Sequence, residues 1–336
     1  MIIQLEPGRD PGATQRSLKA LGLWTKVYPA PSAIVGAQLI VASHSASVAP
    51  ARILAVDGVA EVFAPASGRP LVDVHPPRAS VAGVAIGRGA PAVLMAGPCS
   101  VESEAQIHTA ASLAARAGAT FLRGGCFKPR TSPYAFRGTG PEGLAWMRQA
   151  ADAHGLNVVT EAMAPLQVDV VAEHADLFQI GARNMQNFDL LHAVGRAGKP
   201  TLLKRGLSAT IDEWLFAAEH LLDAGAPTVL FCERGVRGFD DTTRFTFDIS
   251  AIAQLTHVHG LPVIADPSHA AGRKDLIGPL GAAALAAGAH GLIIETHPDP
   301  ADACSDGPQQ LDPDELTAIT SAWGFGAEPS PRAAAS

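Results

Sequence analysis

The chain is poor in aromatic residues, at 5%, and in charged residues, at 17%, although hydrophobic residues make up 47% of its 336 positions. A large core with so few rings must be built from Ala, Val, Leu and Ile, a composition that suits an α/β protein. No apolar run is long enough to span a bilayer, so no membrane partner is expected. The opening MIIQLEPGRD has no basic segment followed by a long apolar stretch, and no signal peptide is expected. Only four cysteines occur (Cys99, Cys126, Cys232 and Cys304), and no two form a CxxC pair. That excludes a disulfide scaffold and favours a reducing, cytoplasmic compartment. There is no basic excess: the formal net charge is -7, which argues against nucleic acid as a partner.

What is present falls into two parts. Residues 1–70 read as IIQLE strand, TQRSLKALGL helix, WTKVYPA and IVGAQLIVAS strands, SVAPARILAVDGV helix and AEVFAPA strand. That βαββαβ order predicts a small ferredoxin-like α+β domain. The Pro-rich segment SGRPLVDVHPPRAS and the hairpin-like VAGVAIGRG make residues 71–85 a linker and hairpin. Residues 326–336, rich in Pro, Ser and Ala, are expected to be a disordered tail. Between 86 and 325, eight apolar runs (VLMAG, TFLRG, NVVTE, LFQIG, TLLKR, TVLFCE, PVIAD and GLIIE) alternate with Ala-rich helical stretches. Runs without polar alternation indicate parallel strands buried on both faces. Eight βα units predict a (β/α)8 TIM barrel. A doubly wound sheet is the alternative, but no GxGxxG follows the first strand.

In such a barrel, chemistry sits at the C-terminal strand ends. Here they read GPCSVES, RGGCFKPRTS, TEAM, QIGARNMQN, LKRG, CERG, ADPSHAAGR and IETHP. One such residue is more often a salt bridge than a catalyst; eight strand ends together reverse that expectation. One set is cationic: Arg123, Lys128, Arg130, Arg183, Lys204, Arg205 and Arg234. Arg forks and Lys charges around one mouth imply a multiply charged anionic ligand. Pairing with Glu161, Glu233 or Asp266 competes with that reading, most of all for Arg205. The other set, Cys99, His269, Glu295 and Asp306, offers a thiolate, an imidazole and two carboxylates, which suits a divalent transition metal.

The motifs AGPCSVES, RGGCFKPRTSPYAFRGTGPEGL, QIGARNMQN, LLKRG, CERG, DPSHAAGR and IETHPDP…SDGPQQL occur in this order over about residues 80–320. In them the chain resembles the type I-beta 3-deoxy-D-arabino-heptulosonate 7-phosphate (DAHP) synthases, the first enzymes of the shikimate pathway to aromatic amino acids. The resemblance implies condensation of phosphoenolpyruvate with erythrose 4-phosphate and release of phosphate. It implies metal ligands Cys99, His269, Glu295 and Asp306, the metal being manganese, cobalt, zinc or iron, with no organic cofactor. It places phosphoenolpyruvate at Arg123, Lys128, Arg183, Lys204 and Arg234, with Asp266 among the substrate-binding residues. The KPRTS segment (Pro129, Arg130, Thr131, Ser132) matches the aldose phosphate site. In the reaction so implied, Lys128 is a candidate proton donor or acceptor and Glu161 a candidate for orienting water. The N-terminal unit resembles the domain that some members use for feedback inhibition by tyrosine or phenylalanine, a structural appendage that supports assembly being the alternative, and a homotetramer is the usual assembly.

The alternative is 3-deoxy-D-manno-octulosonate 8-phosphate synthase, which uses arabinose 5-phosphate and shows a KANRS-like segment in place of KPRTS. A class I aldolase with Lys204 as Schiff base, and a non-enzymatic phosphate sensor, are more distant readings. Three positions depart from the family pattern: Cys126 where Ala or Ser is usual, Phe245 where Asn is usual, and Ala271 where Thr or Ser is usual.

Overall fold

The structure is a computed structural model that describes residues 1–30, 36–42, 44–63, 67–128, 132 and 134–326. It divides into two compact units, Met1–Pro70 and Leu71–Ser336. The expected tail lies outside the described residues from position 327 onward.

The first unit runs β1 (Ile2–Leu5), α1 (Pro11–Ala20), β2 (Thr25–Tyr28), β3 (Gln38–Val41), α2 (Pro50–Leu54) and β4 (Val59–Phe63). Its four strands form an antiparallel sheet in the order β2-β3-β1-β4, the ferredoxin-like arrangement. Alternation puts Ile3, Leu5 and Leu39 on the helix-covered face, where they pack with Leu18 and Ile53. Asp10 starts α1 by accepting from the amides of Gly12 and Ala13.

The second unit begins with α3 (Pro70–Asp73) inside the expected linker. This segment is held down: the amides of Leu71 and Val72 donate to Glu219 at 3.0 and 2.8 Å. His75 Nε2 accepts from the Val229 amide at 3.2 Å, and burial lowers the His75 pKa. A hairpin of β5 (Arg78–Val81) and β6 (Val84–Gly87) follows.

Eight parallel strands then close into a barrel: β7 (Val93–Gly97), β8 (Phe121–Arg123), β9 (Asn157–Glu161), β10 (Leu177–Ile180), β11 (Thr201–Lys204), β12 (Val229–Glu233), β13 (Val263–Ala265) and β14 (Gly291–Glu295). Around them run α4 (Glu104–Arg116), α5 (Gly140–Ala153), α6 (Val168–His174), α7 (Phe188–Arg196), α8 (Ile211–Asp223), α9 (Ile249–Ala253), α10 (Pro267–Ala271), α11 (Ile277–Ala286) and α12 (Pro313–Ala322). Capping boxes at Thr210/Glu213 and Asp312/Glu315 fix the starts of α8 and α12.

The strand parity explains why the runs are apolar throughout. Val93, Met95, Phe121, Val159, Leu177, Leu202, Leu230, Cys232, Ile264 and Ile293 point inward and pack with Ala79, Val81 and Ile86 of the hairpin. Leu94, Leu122, Val158, Phe178, Leu203, Phe231, Ala265 and Ile294 point outward into the helix layer. Both faces are buried, and apart from Asn157, Thr160, Gln179 and Thr201 the strands are apolar until their last residues.

Candidate active site

The same parity decides what reaches the barrel mouth. Two residues beyond the inward Phe121, Val159, Leu177, Leu202, Cys232, Ile264 and Ile293 stand Arg123, Glu161, Gln179, Lys204, Arg234, Asp266 and Glu295. Cys99 follows inward Met95 by four. Arg205 and Glu233 follow the outward Leu203 and Phe231, and they turn to each other instead. Arg205 Nη1 lies 3.0 Å from Glu233 Oε2 and 2.8 Å from Asp248 Oδ2. For Arg205 the salt-bridge reading is therefore the structural one.

A cavity of about 320 Å³ opens at this mouth, lined by Arg123, Lys128, Arg183, Lys204, Arg234 and Arg244 among its cations, with Glu161, Gln179, His269 and Asp306. Ligand atoms of Cys99, Glu295 and Asp306 lie within 4.8 Å of one another. The Cys99 thiol donates to Asp306 Oδ2 at 3.3 Å. His269, the fourth expected residue, is not within that group of three, but its Nε2 is 3.4 Å from Glu295 Oε1. A thiol and two carboxylates facing one point, with an imidazole beside one of the carboxylates, fit a divalent metal of intermediate softness. Asp306 reaches the point from a left-handed backbone conformation, φ 50°, that Asp tolerates better than most residues.

Each of these groups is held. Lys128 Nζ donates to Cys99 Sγ at 3.0 Å and to the Cys99 carbonyl at 2.8 Å. A Cβ at Gly125 would lie 2.9 Å from Lys128 Cδ, so glycine there leaves the room in which Lys128 folds back. Burial pushes the Cys99 thiol up, to about 11, and Glu295 adds to this while Lys128 opposes it. Arg123 Nη1 donates to Glu295 Oε1 at 2.6 Å. Burial disfavours the Glu295 carboxylate, but His269, Arg123 and Lys128 outweigh it and hold the group well below the usual carboxylate range. Lys204 Nζ donates to Asp266 Oδ2 at 2.5 Å, while Asp266 Oδ1 accepts from the His269 amide at 3.0 Å and starts α10. His269 Nδ1 lies 2.8 Å from Asp266 Oδ2 but off the line a hydrogen bond needs. Burial lowers the His269 pKa, favouring the neutral imidazole that a metal requires.

Glu161 makes no hydrogen bond or ion pair among the described residues, and burial raises its pKa against the pull of Lys128, Lys204 and Arg183. Its carboxylate occupies space that a side chain at Gly181 would take, with a Cβ there 2.2 Å from Glu161 Oε1. Arg234 Nη1 is buried with no partner among the described residues. Pro129, Arg130 and Thr131 lie outside the described residues, and Ser132 is exposed with its Oγ accepting from the Tyr134 amide.

Four participants went unrecognised in the sequence. Gln179 was available from strand parity alone. Gln310 accepts from the Cys99 amide at 3.0 Å, Gln309 Nε2 donates to Glu295 Oε2, and Arg244 Nη1 donates to Gln309 Oε1 at 2.9 Å. No spacing rule links these last three to their partners.

The DAHP synthetase I family profile matches residues 70–325. The chain belongs to that family. Phospho-2-dehydro-3-deoxyheptonate aldolase of Thermotoga maritima is 50% identical over 219 residues, a stretch that covers 65% of this chain and 65% of that protein. The chain thus spans just under two thirds of that curated relative. The 2-dehydro-3-deoxyphosphooctonate aldolase of Acidithiobacillus ferrooxidans is 35% identical over 237 residues, covering 65% of this chain and 83% of that one. A solved Thermotoga maritima phospho-2-dehydro-3-deoxyheptonate aldolase (DAHP synthase) matches 96% of this chain and 95% of its own, with 36% identity and a TM-score of 0.73. A truncated form from the same organism covers 74% of this chain and 91% of its own, at 42% identity and TM-score 0.69.

Proposed function

We propose that the chain condenses phosphoenolpyruvate with D-erythrose 4-phosphate to 3-deoxy-D-arabino-heptulosonate 7-phosphate and phosphate, in the shikimate pathway to aromatic amino acids. The observation that carries this is one cavity whose cationic wall meets His269 and Asp306, with Cys99 and Glu295 grouped beside Asp306. Family membership and the higher identity to the heptonate enzyme favour erythrose 4-phosphate over arabinose 5-phosphate.

Arg123, Lys128, Arg183, Lys204 and Arg234 hold the carboxylate and phosphate of phosphoenolpyruvate, fixing its C3 toward the sugar aldehyde. The aldose phosphate occupies the segment Pro129, Arg130, Thr131 and Ser132. Cys99, His269, Glu295 and Asp306 would hold manganese, cobalt, zinc or iron. When bound, that metal supplies a Lewis acid for the aldehyde oxygen. C3 attack on the aldehyde leaves C2 electron-poor, water adds there, and phosphate departs by C–O cleavage. Glu161, poised by its raised pKa, orients and deprotonates that water. Lys128, beside Cys99, donates the proton that the new hydroxyl needs.

The N-terminal unit serves feedback inhibition by an aromatic amino acid, in a cytoplasmic homotetramer. No described helix is long and apolar enough to cross a membrane. The test of the activity is phosphate release from phosphoenolpyruvate with each sugar phosphate in turn. Erythrose 4-phosphate is expected to support turnover; a preference for arabinose 5-phosphate contradicts the reading. Deleting residues 1–70 is expected to abolish inhibition by tyrosine or phenylalanine while leaving turnover; retained inhibition contradicts a regulatory role.

A further inference from the structure

Two arginines on neighbouring strands are treated in opposite ways. Arg205 is neutralised by two carboxylates, Glu233 at 3.0 Å and Asp248 at 2.8 Å. Arg234 is just as deeply buried, with 5% of its surface exposed, yet it makes no ion pair among the described residues. What covers it is a ring: its guanidinium carbon sits 4.3 Å from the centre of Phe245. The same ring lies 5.7 Å from the guanidinium of Arg244, so it neighbours two like charges.

The backbone puts the ring there. The Phe245 amide donates to the Ala270 carbonyl at 2.9 Å, and the Arg244 amide to the Ala271 carbonyl at 3.1 Å, tying this segment to α10. Gly235 has φ +90° and a Cβ on it would lie 2.7 Å from Phe245 Cβ, so only glycine leaves this space. Phe245 also lines the cavity itself.

We propose that Phe245 is a positioning residue for anion binding: its ring holds the Arg234 guanidinium by a cation–π contact and so keeps that charge available to the ligand. The physical reasoning is a comparison of partners. A carboxylate in this place would stabilise the buried cation but also cancel it, as at Arg205. The face of an aromatic ring stabilises a desolvated cation without contributing a net charge. It also leaves the edge of the guanidinium, including the unpartnered buried Nη1, free for oxygen atoms. Burial lowers the Arg234 pKa while Asp266 raises it, so both the need for a stabilising partner and a competing carboxylate are present. Without the ring, the guanidinium turns toward Asp266 and has to be drawn back by each incoming anion. The inference rests on the reading of this cavity as an anion site, and it assigns a role to the Phe that stands where the family pattern has Asn.

The test compares Phe245→Leu, which keeps apolar bulk without a ring face, and Phe245→Tyr, which keeps the face. Binding of inorganic phosphate and, separately, of phosphoenolpyruvate is measured by calorimetry on the full chain. Leu is expected to weaken both ligands by about tenfold, the scale of a desolvated cation–π contact, and Tyr to restore them. In turnover, the Leu variant raises KM for phosphoenolpyruvate while kcat stays within about twofold, as uniform loss of binding requires. Equal phosphate affinity of the Phe and Leu proteins overturns the inference, as does wild-type protein that binds no phosphate. A Leu variant with lower melting temperature but unchanged affinity shows a packing role only and overturns it too. Wild-type protein that binds phosphate through this ring but not phosphoenolpyruvate overturns the proposed substrate and leaves the positioning role standing.

Discussion

Replacing Asp266 by Asn removes one charge from the centre of the site while keeping its shape. Asp266 is 1% exposed, and Lys204, 3% exposed, donates to it at 2.5 Å. Burial works against the Asp266 carboxylate, but His269 and Lys204 hold it well below the usual range. The Asn side-chain oxygen still accepts from the His269 amide, so the start of α10 is kept. The loss is therefore the charge pairing of Lys204. Removing one partner of a buried pair costs about 3–5 kcal/mol, because the other charge stays desolvated and uncompensated. At roughly 2–4 °C per kcal/mol for a unit of this size, even the lower figure gives a fall of about 6–12 °C. Calorimetric melting of the full chain measures it. If phosphoenolpyruvate binds as proposed, its anionic groups at saturation supply Lys204 with a counter-charge, and the fall should shrink by at least half. A fall under about 2 °C, or the same fall with and without ligand, would refute the reasoning that Lys204 is a buried cation shared between Asp266 and the substrate.

Gly181→Ala should move the Glu161 carboxylate, whose Oε1 would lie 2.2 Å from the new Cβ. Since φ at this residue is -69°, Ala is tolerated by the backbone; turnover should drop at least about tenfold while the melting temperature moves by under about 2 °C. Unchanged turnover would remove Glu161 from the reaction. His75 is held neutral by burial and accepts from the Val229 amide, so the unfolded chain takes up a proton first on acidification. Stability is then fully present above about pH 6.5 and falls as pH drops below it, toward the lowered folded pKa, by up to about 1.4 kcal/mol per pH unit for this group. His75→Gln should flatten part of that slope, and an unaltered slope would contradict the assignment. Of the four cysteines only Cys304 is exposed, and burial pushes the Cys126 thiol up to about 12. A disulfide reagent at pH 8 should titrate one thiol rapidly and four after denaturation, and Cys304→Ala should abolish the rapid phase; a second rapid thiol would contradict the burial.

The barrel was legible because its strands are buried on both faces, which forces continuous runs such as VLMAG and GLIIE. The first charged residue after each run then marks the mouth. Parity refines this: Lys204 faces the cavity and Arg205, its neighbour, turns to Glu233 and Asp248. Read by run ends alone, the two looked alike. The partners were not legible. Gln309 and Gln310 sit beyond β14; Gln309 folds back on Glu295 at the end of that strand, and Gln310 meets Cys99 only when β14 closes against β7. The Pro-rich stretch before the barrel reads as a linker. Its order comes from Glu219 and Val229, more than 140 residues later, which no local pattern reveals. Phe245 reads as a lost amide in the sequence. In the structure its ring covers a cation.

The central claim is that the Cys99, His269, Glu295 and Asp306 cluster and the cationic wall form one metal-dependent condensation site. It is tested most directly by stripping the protein with a chelator and following phosphate release from phosphoenolpyruvate and erythrose 4-phosphate before and after manganese is added. The account predicts turnover lost on stripping, restored by manganese, and not restored in His269→Ala. Full turnover in the stripped protein, or normal turnover in His269→Ala, would contradict it.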